Sequence, residues 1–224
     1  MIVDLHFHTC VPGHLRPRDL LDYDRRNALV YKARQRGLDA ICLTEHDKVW
    51  EKEAVRALSE EHGLLVLRGM EVSTNYAEFG HVLVYGVNRY ISGMWDVEKL
   101  AHVVEEEGGA MFVAHPFREV YSWGNDSLVP SLTIPEACRM PILKLVHGME
   151  VFNGATRHQA NEFALEVCRS LKMRGTGGSD AHSAVGVGSC ATIFENPIRS
   201  EEDLIRELRA GRYRAVVRKD GAFL

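Results

Sequence analysis

The residues that could do chemistry in this chain are histidines and carboxylates whose spacing suits a metal ion. His6 and His8 lie two positions apart in the apolar segment 2–8. Residues two apart on a β-strand point to the same face, so both imidazoles could reach one ion. A single histidine more often packs in the core or lies on the surface. The pair therefore indicates a metal site only if further ligands join it.

Such ligands accompany the other apolar segments. Each is a histidine or a carboxylate beside the end of a predicted strand: His46, Glu71, His81, His115, Asp180 and His182. In α/β folds the carboxyl ends of the strands build one shared site. Imidazoles mixed with carboxylates suit Zn, Mn or Fe better than Mg. The set exceeds what one tetrahedral ion can use, so Glu71, which taken singly could be a solvated carboxylate, could bridge two ions in a hydrolytic centre.

Apolar runs that alternate with helical periodicity must position these ligands. The pattern predicts strands at residues 2–8, 40–44, 64–72, 81–87, 110–114, 145–152, 175–180 and 190–194. It predicts helices at residues 17–36, 51–62, 97–107, 158–173 and 200–210, the last with a capping box from Ser200 to Asp203. This alternation indicates βαβ units, a mainly parallel sheet and an α/β fold. We expect a single domain, residues 1–224, built as a small distorted barrel rather than an open sheet.

The composition excludes several classes of protein. The 224 residues are 46% hydrophobic and 26% charged, with a formal net charge of −4. This balance excludes intrinsic disorder and argues against a large nonspecific DNA-binding face. No apolar run approaches the length of a membrane helix, and the N-terminus is too polar for a signal peptide, so we expect a soluble cytoplasmic protein. Five cysteines without a CxxC spacing suit reduced, mostly buried thiols.

Five short motifs in chain order resemble those of a known family. They are Asp4-Leu5-His6-Phe7-His8-Thr9, Leu43-Thr44-Glu45-His46-Asp47, Gly69-Met70-Glu71-Val72-Ser73, Ala114-His115-Pro116 and Gly178-Ser179-Asp180-Ala181-His182. Together they cover nearly the whole chain and resemble the PHP family, which is named after polymerase and histidinol phosphatase. The resemblance implies a distorted (β/α)7 barrel and a phosphoesterase site with two or three divalent metal ions.

The resemblance also implies how the ligands are shared among the ions. The first ion would take His6, His8, Glu71 and Asp180, and the second would take Glu71, His81 and His115. A third ion would take His46 and His182, joined in three-metal members by a histidine that corresponds to His14. Many small members instead have an aspartate there, and His14 could equally be an exposed loop residue. The cofactors are therefore two or three ions of Zn, Mn or Fe.

A phosphate substrate needs fixed positive charge beside the ions. Arg118 follows His115 by three residues and is the better candidate to bind the phosphate, and Arg157 is the second. Either arginine could instead be an ordinary surface residue.

Other side chains could support the site without touching the ions. Glu150 and Asn153 extend from a predicted strand and could orient the ligands. The segment 119–135 is longer than most loops and carries Tyr121 and Trp123. These aromatic rings could stack on a nucleobase, close a lid or only cover the barrel rim.

The sequence predicts a metal-dependent phosphoesterase that uses metal-bound hydroxide as its nucleophile. Four residues are assigned to catalysis: Glu71, Asp180, His182 and Arg118. The expected partner is a small phosphorylated substrate, which could be a nucleotide or a short oligonucleotide. No membrane and no obligatory protein partner are expected.

Three alternatives stay open. An amidohydrolase barrel, which cleaves C–N bonds, also begins with His-x-His, but it usually bridges its metals through a modified lysine where Glu71 stands here. A short-oligonucleotide exonuclease would use the same site together with a basic track, which the net charge does not demand. A noncatalytic metal-binding domain would be expected to have lost some ligands.

Overall fold

A computed structural model of the chain describes residues 1–9, 20–76, 80–123 and 128–224. These residues form one sheet of ten strands, a separate ribbon of two strands and six α-helices. The strands are β1 (Ile2–Phe7), β2 (Ala40–Leu43), β3 (Leu65–Ser73), β4 (His81–Tyr85), β5 (Ala110–Val113), β6 (Tyr121–Trp123), β7 (Leu128–Pro130), β8 (Gly148–Asn153), β9 (Arg174–Gly178), β10 (Cys190–Phe194), β11 (Tyr213–Lys219) and β12 (Ala222–Phe223). The helices are α1 (Leu20–Gln35), α2 (Lys52–His62), α3 (Val97–Glu106), α4 (Ile134–Ala137), α5 (His158–Ser170) and α6 (Glu201–Ala210), and a 3₁₀ helix covers Pro141–Lys144.

The large sheet is mixed, with strand order β12-β11-β10-β1-β2-β3-β4-β5-β8-β9. Its parallel pairs are β1/β2, β2/β3, β5/β8 and β8/β9, and its other five pairs are antiparallel. The prediction of a mainly parallel sheet was therefore wrong, although every predicted strand and helix is present. One cause is the connection from β3 to β4, because residues 74–80 are fewer than the dozen or so that a parallel crossover needs.

The sheet curls around a concave face. The hydroxyl of Tyr85 on β4 donates to the carbonyl oxygen of Leu5 on β1 at 2.9 Å, although two strands separate β4 from β1 in the sheet. At the rim, the amide of Asp180 donates to the carbonyl oxygen of His6 at 2.8 Å. Phe7 forms an isolated parallel bridge with Ala181. The arc that runs from β1 to β9 thus brings its two edges together beside His6.

Glycines at the end of β9 permit this approach. A Cβ on Gly178 would lie 2.4 Å from the Cβ of His6 and 2.9 Å from Oε1 of Glu150, which is closer than real Cβ atoms come. A Cβ on Gly177 would lie 2.4 Å from the carbonyl oxygen of Ala191 on β10. The Gly-rich end of β9 is therefore required for its packing against β1 and β10.

Apolar side chains fill the concave face. They come from alternate positions of the strands, among them Val3, Leu5, Ala40, Cys42, Leu83, Tyr85, Ala110 and Phe112. Leu204 and Leu208 of α6 join this cluster. Because α6 follows β10, whose last residue Phe194 bonds to the carbonyl oxygen of Met1, α6 lies at the end of the sheet where β1 begins. The other end of the concave face is left for the polar site.

The segment 119–135, expected as an irregular loop, contains regular structure. It includes β6 and β7, which pair as an antiparallel ribbon, and the first residues of α4. Thr133 begins α4 with a capping box to Glu136. The side chains of Tyr121 and Trp123 lie outside the described part of the structure, so their stacking role stays a prediction.

The four described cysteines, Cys42, Cys138, Cys168 and Cys190, are free thiols. Burial raises the pKa of Cys168 to about 11 and that of Cys190 to about 12, so neither thiol is a reactive thiolate at neutral pH. None of the described helices is long and apolar enough to cross a membrane.

Candidate metal centre

Eight predicted ligands converge at one rim of the curled sheet. His6 lies on β1, His8 follows β1, Glu71 comes from β3, and Asp180 follows β9; all four are buried. The other four extend the group along the rim: His46, His81, His115 and His182. His81 begins its strand rather than ending it, because β4 runs antiparallel to β3 and pairs its first residue with Ser73.

Glu71 stands at the middle of the group and presents its two oxygens to different histidines. Oε2 lies 3.2 Å from Nε2 of His6, 3.1 Å from Nε2 of His8 and 3.4 Å from Nε2 of His46. Oε1 lies 2.9 Å from Nδ1 of His81 and 3.0 Å from Nε2 of His115. This is the arrangement expected of a carboxylate that bridges two cations.

Four overlapping groups of side chains could each hold a cation, with ligand atoms within 4.8 Å of one another. They are His6/His8/Glu71, His6/His115/Asp180, His46/Glu71/His81 and His8/His46/His182. Oδ1 of Asp180 lies 3.4 Å from Nε2 of His8 and 3.6 Å from Nε2 of His6, which adds it to the first group. The overlap means that the ligands form one continuous cluster rather than separate sites.

The hydrogen bonds within the cluster do not satisfy all of its nitrogen atoms, and bound cations would. Nε2 of His6 and Nε2 of His8 face each other at 3.1 Å, and two neutral imidazoles turned this way can share only one proton. Nδ1 of His81 is buried and lies near Glu71, yet it forms no hydrogen bond of normal geometry with any described residue. A buried polar atom without a partner costs free energy unless a ligand satisfies it. The donor set therefore fits divalent metal ions.

Glu150 orients His6 from outside the cluster, as the sequence indicated. Both of its oxygens lie 3.2 Å from Nδ1 of His6. One of them also accepts hydrogen bonds from the amide of His115 and from Nδ2 of Asn153, each at 2.9 Å. Since a carboxylate only accepts, Nδ1 of His6 carries a proton, and Nε2 is the nitrogen left to bind an ion beside Glu71.

Glu45 lies beside Nδ1 of His8 as Glu150 lies beside Nδ1 of His6, and the sequence did not predict this role. One oxygen accepts from the amide and the hydroxyl of Thr9, at 2.8 and 2.5 Å, and from Nε1 of Trp50 at 3.3 Å. The other lies 3.6 Å from Nδ1 of His8. Burial would raise the pKa of Glu45, but its contacts with His8 and Thr9 lower it to about 2. Its place before His46 was a signal, but its pairing with β1 depends on the packing of two strands.

A second missed residue is Asp4, which ties β1 to the end of β9. It is fully buried, and Oδ1 accepts from the amides of Ser179 at 2.8 Å and His6 at 3.3 Å. Burial raises the pKa of Asp4 to about 7. Asp4 thus fixes the two strand ends that carry His6 and Asp180.

The electrostatics of the cluster favour positive charge. Burial would lower the pKa of His6, but the carboxylates of Glu150, Glu71 and Asp180 raise it well above 6.5. Burial likewise opposes protonation of His8, yet its carboxylate neighbours raise its pKa to about 10. The pKa values of Glu71 and Asp180 are held below their ordinary values despite burial, with the charge of His6 the largest favourable cause. A divalent cation can take the place of the protons on these imidazoles.

Three residues at the rim adopt left-handed backbone conformations. The φ angles are 51° for Asp47, 30° for His115 and 49° for Asp180. Residues other than glycine adopt this region at a cost of about 1–3 kcal/mol, and such residues concentrate at functional sites. Asp and His are among the non-glycine residues that enter this region most readily, so the residue types at these three turns suit the backbone that they adopt.

Arg118 reaches the cluster and Arg157 does not. The guanidinium of Arg118 donates to Oδ2 of Asp180, to Oδ1 of Asn153 at 3.1 Å and to Oγ1 of Thr156 at 3.1 Å. Arg157 is exposed at the start of α5, and no contact in the described ranges joins its side chain to a ligand. His14 lies outside the described residues, so its place in a third metal site stays a prediction.

His182 is the most exposed member of the cluster, with 40% of its side chain accessible. Its ring stacks on His8 with centroids 4.6 Å apart. Nδ1 lies 3.0 Å from the carbonyl oxygen of Asp180, which can only accept, so Nδ1 carries a proton and Nε2 is free to bind a ligand.

Comparison with known proteins finds similarity over parts of the chain. Residues 158–213 match a family model described as PHP-associated. This match agrees with the resemblance to the PHP family in the C-terminal part of the chain. A sequence relative, uncharacterized protein MJ1587 of Methanocaldococcus jannaschii, is 24% identical over 125 residues, which span 54% of this chain and 70% of that protein.

Three solved structures share the fold of this chain. PsfC from Pseudomonas syringae is 21% identical and has a TM-score of 0.68, covering 98% of this chain and 92% of its own. A Bifidobacterium adolescentis protein assigned as a metal-dependent phosphoesterase is 16% identical with a TM-score of 0.58, covering 92% and 95%. An amidohydrolase from Chromobacterium violaceum with bound sulfate is 18% identical with a TM-score of 0.60, covering 97% and 98%. At these identities the likeness is one of fold.

Proposed function

We propose that this chain is a metal-dependent hydrolase that cleaves phosphate esters of small molecules. The observation that carries the proposal is the position of Glu71, with one oxygen toward His6 and His8 and the other toward His81 and His115. Such a carboxylate is the centre of a two-metal hydrolytic site. The PHP match over residues 158–213 and the neighbour assigned as a metal-dependent phosphoesterase support the same class.

The cluster would hold two or three ions of Zn, Mn or Fe. His6, His8, Glu71 and Asp180 would bind one, and Glu71, His81 and His115 would bind another. His46 and His182 would bind the third, with His8 as their neighbour. A bound divalent cation would supply a Lewis acid that acidifies water and offsets negative charge on the phosphoryl oxygens.

Arg118 would orient the phosphate. Its Nε and Nη2 are held by Thr156, Asn153 and Asp180, whereas no described residue accepts from Nη1. A guanidinium fixed on one side can donate to a phosphoryl oxygen on the other with little loss of conformational freedom.

His182 would donate a proton to the leaving group. The carbonyl oxygen of Asp180 fixes the tautomer and orientation of its ring. The exposed position of the ring places Nε2 where solvent can return a proton after each turnover. Any role of His182 in holding a third ion would exclude proton transfer from the same nitrogen, so the number of ions decides between the two roles.

The decisive experiment measures metal content and hydrolysis on one preparation. We expect at least two equivalents of Zn or Mn per chain and release of phosphate from a set of phosphomonoesters and phosphodiesters. The Glu71→Gln variant, purified in parallel, controls for contaminating phosphatases. Less than one equivalent of bound metal, or equal hydrolysis by the variant, would refute the proposal. Cleavage of C–N substrates without phosphate release would instead establish the amidohydrolase alternative.

We also propose that the arc of seven strands, β1 to β5 with β8 and β9, is a distorted barrel of the (β/α)7 type. The contacts of Asp180 with His6 and of Phe7 with Ala181 at the meeting edges support it. The alternation is incomplete, since no helix lies among the described residues between β3 and β4.

A further inference from the structure

Strand β8 extends past its neighbour β5 at the rim of the metal centre. β5 ends at Val113, which pairs with Met149, whereas β8 continues to Asn153. On its other side β8 stays paired with β9, and Asn153 lies opposite Gly178. Among the described residues, the side of Asn153 that faces away from β9 therefore has no neighbouring strand.

Asn161 of α5 takes the place of the missing strand. Its Oδ1 accepts from the amide of Asn153 at 3.1 Å, and its Nδ2 donates to the carbonyl oxygen of Asn153 at 3.0 Å. A carboxamide offers an acceptor and a donor as a peptide group does, so it can satisfy both backbone groups of one residue. Asn161 is buried, with 8% of its surface exposed. Helix α5 thereby fixes the last residue of β8.

The side chain of Asn153 bridges Arg118 and two carboxylates. Its Oδ1 accepts from Nη2 of Arg118 at 3.1 Å and from Oγ1 of Thr156 at 3.0 Å. Its Nδ2 donates to Oε2 of Glu150 at 2.9 Å and to Oδ2 of Asp180 at 3.3 Å. A carboxamide suits this place because it turns an acceptor toward the cation and a donor toward the anions.

The position of Arg118 depends on this bridge. Its guanidinium donates to Asp180, Asn153 and Thr156, and the hydroxyl of Thr156 is itself held by Oδ1 of Asn153. Two of the three acceptors of Arg118 are therefore in place only while Asn153 is. The backbone of Asn153 is in turn held by Asn161, whose hydrogen bonds within the described residues go to Asn153 rather than to the metal ligands.

We propose that Asn161 is a positioning residue for phosphate binding. It holds the backbone of Asn153 so that the amide of Asn153 keeps the guanidinium of Arg118 beside Asp180. Asn161 itself touches neither the phosphate nor the ions. This inference rests on the proposed function, since it takes Arg118 to be the residue that binds the phosphate.

The test measures binding of inorganic phosphate to the metal-loaded protein by calorimetry. Asn161→Leu keeps the branched shape of the side chain and removes both hydrogen bonds. We expect the Kd for phosphate to rise about tenfold, which is the value of one hydrogen bond to a charged group, while the metal content stays the same. Asn161→Ser, which keeps a hydroxyl, should give a smaller rise and serves as the test if the leucine variant does not fold.

Asn196→Leu is the matched control. Asn196 is exposed and donates to Glu207 at 2.9 Å, and it lies near Phe194, at the end of the sheet where β1 begins. Its replacement should leave the Kd for phosphate unchanged. Equal phosphate binding by wild type and both Asn161 variants would overturn the inference. Loss of metal together with phosphate would overturn it as well, because Asn161 would then support the ion site instead.

A double-mutant cycle separates positioning of Arg118 from general damage to the fold. In an Arg118→Met background, Asn161→Leu should cause no further loss of phosphate affinity, because the guanidinium that it positions is gone. Equal losses in the two backgrounds would overturn the inference.

Kinetics on 4-nitrophenyl phosphate separate this inference from the proposed function. Asn161→Leu should raise KM about tenfold with kcat little changed. A fall in kcat at constant KM would contradict a role in binding. If wild type binds phosphate, the variant binds it more weakly and no ester is hydrolysed, the proposed function fails while the positioning role of Asn161 stands.

Discussion

Two groups of buried charge in this molecule are satisfied in different ways. In the first group, outside the metal cluster, charges have partners of opposite sign: Arg68 donates to both oxygens of Glu201 at 2.6 and 2.8 Å. Glu207 likewise accepts from Arg212 at 2.7 Å on each oxygen. In the metal cluster, imidazole nitrogens face one another and one carboxylate serves five histidines.

The difference shows which of the two groups of buried charge needs a ligand from outside the chain. A bidentate arginine–carboxylate pair satisfies its own donors and acceptors, so it contributes to the fold and requires no ligand. A cluster of acceptors around Glu71 lacks donors unless protons or metal ions supply them. Buried charge alone would not separate structure from function here, whereas the balance of donors and acceptors does.

The largest effect is expected from Glu71→Gln, which removes the central charge but keeps the shape of the side chain. We expect the bound metal to be lost and kcat/KM to fall by more than about 100-fold, since even partners of metal ligands are worth about 10–100-fold. Elemental analysis and steady-state kinetics measure both. Full metal content in this variant would mean that Glu71 is one more paired carboxylate, like Glu201.

Glu150→Gln should give a smaller effect in the same cluster. The amide can still accept at one atom, but it no longer fixes the proton on Nδ1 of His6. We expect metal affinity to fall by about 10–100-fold while the fold is retained. Competition with a chelator of known affinity measures the change, and circular dichroism checks the fold. An unchanged affinity would show that His6 is oriented by its strand alone.

Metal affinity should depend on pH in a direction set by the imidazoles. The carboxylates around these two imidazoles raise the pKa of His8 to about 10 and raise the pKa of His6 well above its ordinary value, so protons compete with a metal ion for both rings. Metal must displace these protons, so affinity falls as pH is lowered, by about tenfold per pH unit for each proton released. Calorimetry between pH 6 and 8 in buffers of different ionisation enthalpy counts the protons. Binding without proton release would contradict this account of the cluster.

The sequence predicted which side chains come together better than it predicted the sheet, and the reason is physical. Metal ligands are few in kind, and their places after apolar runs put His6, Glu71 and His115 at one rim. The direction of a strand in the sheet is not visible in its sequence, because an apolar run has the same pattern in a parallel and in an antiparallel strand. The sequence therefore predicted β4 but not its antiparallel pairing. Glu45 escaped notice because its partner His8 is on another strand, and that contact exists only once the sheet is folded.

Arg68 and Glu201 provide the comparison with the smallest expected effect on the site. Glu201→Gln breaks the pair but leaves Arg68 bonded to Asn88 and to the carbonyl oxygen of Trp50. Removing one partner of a buried pair costs about 3–5 kcal/mol, and the 24% exposure of Glu201 reduces this to about 2–3 kcal/mol. Urea unfolding measures the loss, and metal content should be unchanged. A loss of metal as well would show that this pair and the metal cluster are coupled. The coupling would then pass through the hydrogen bond from Arg68 to Trp50, which also contacts Glu45.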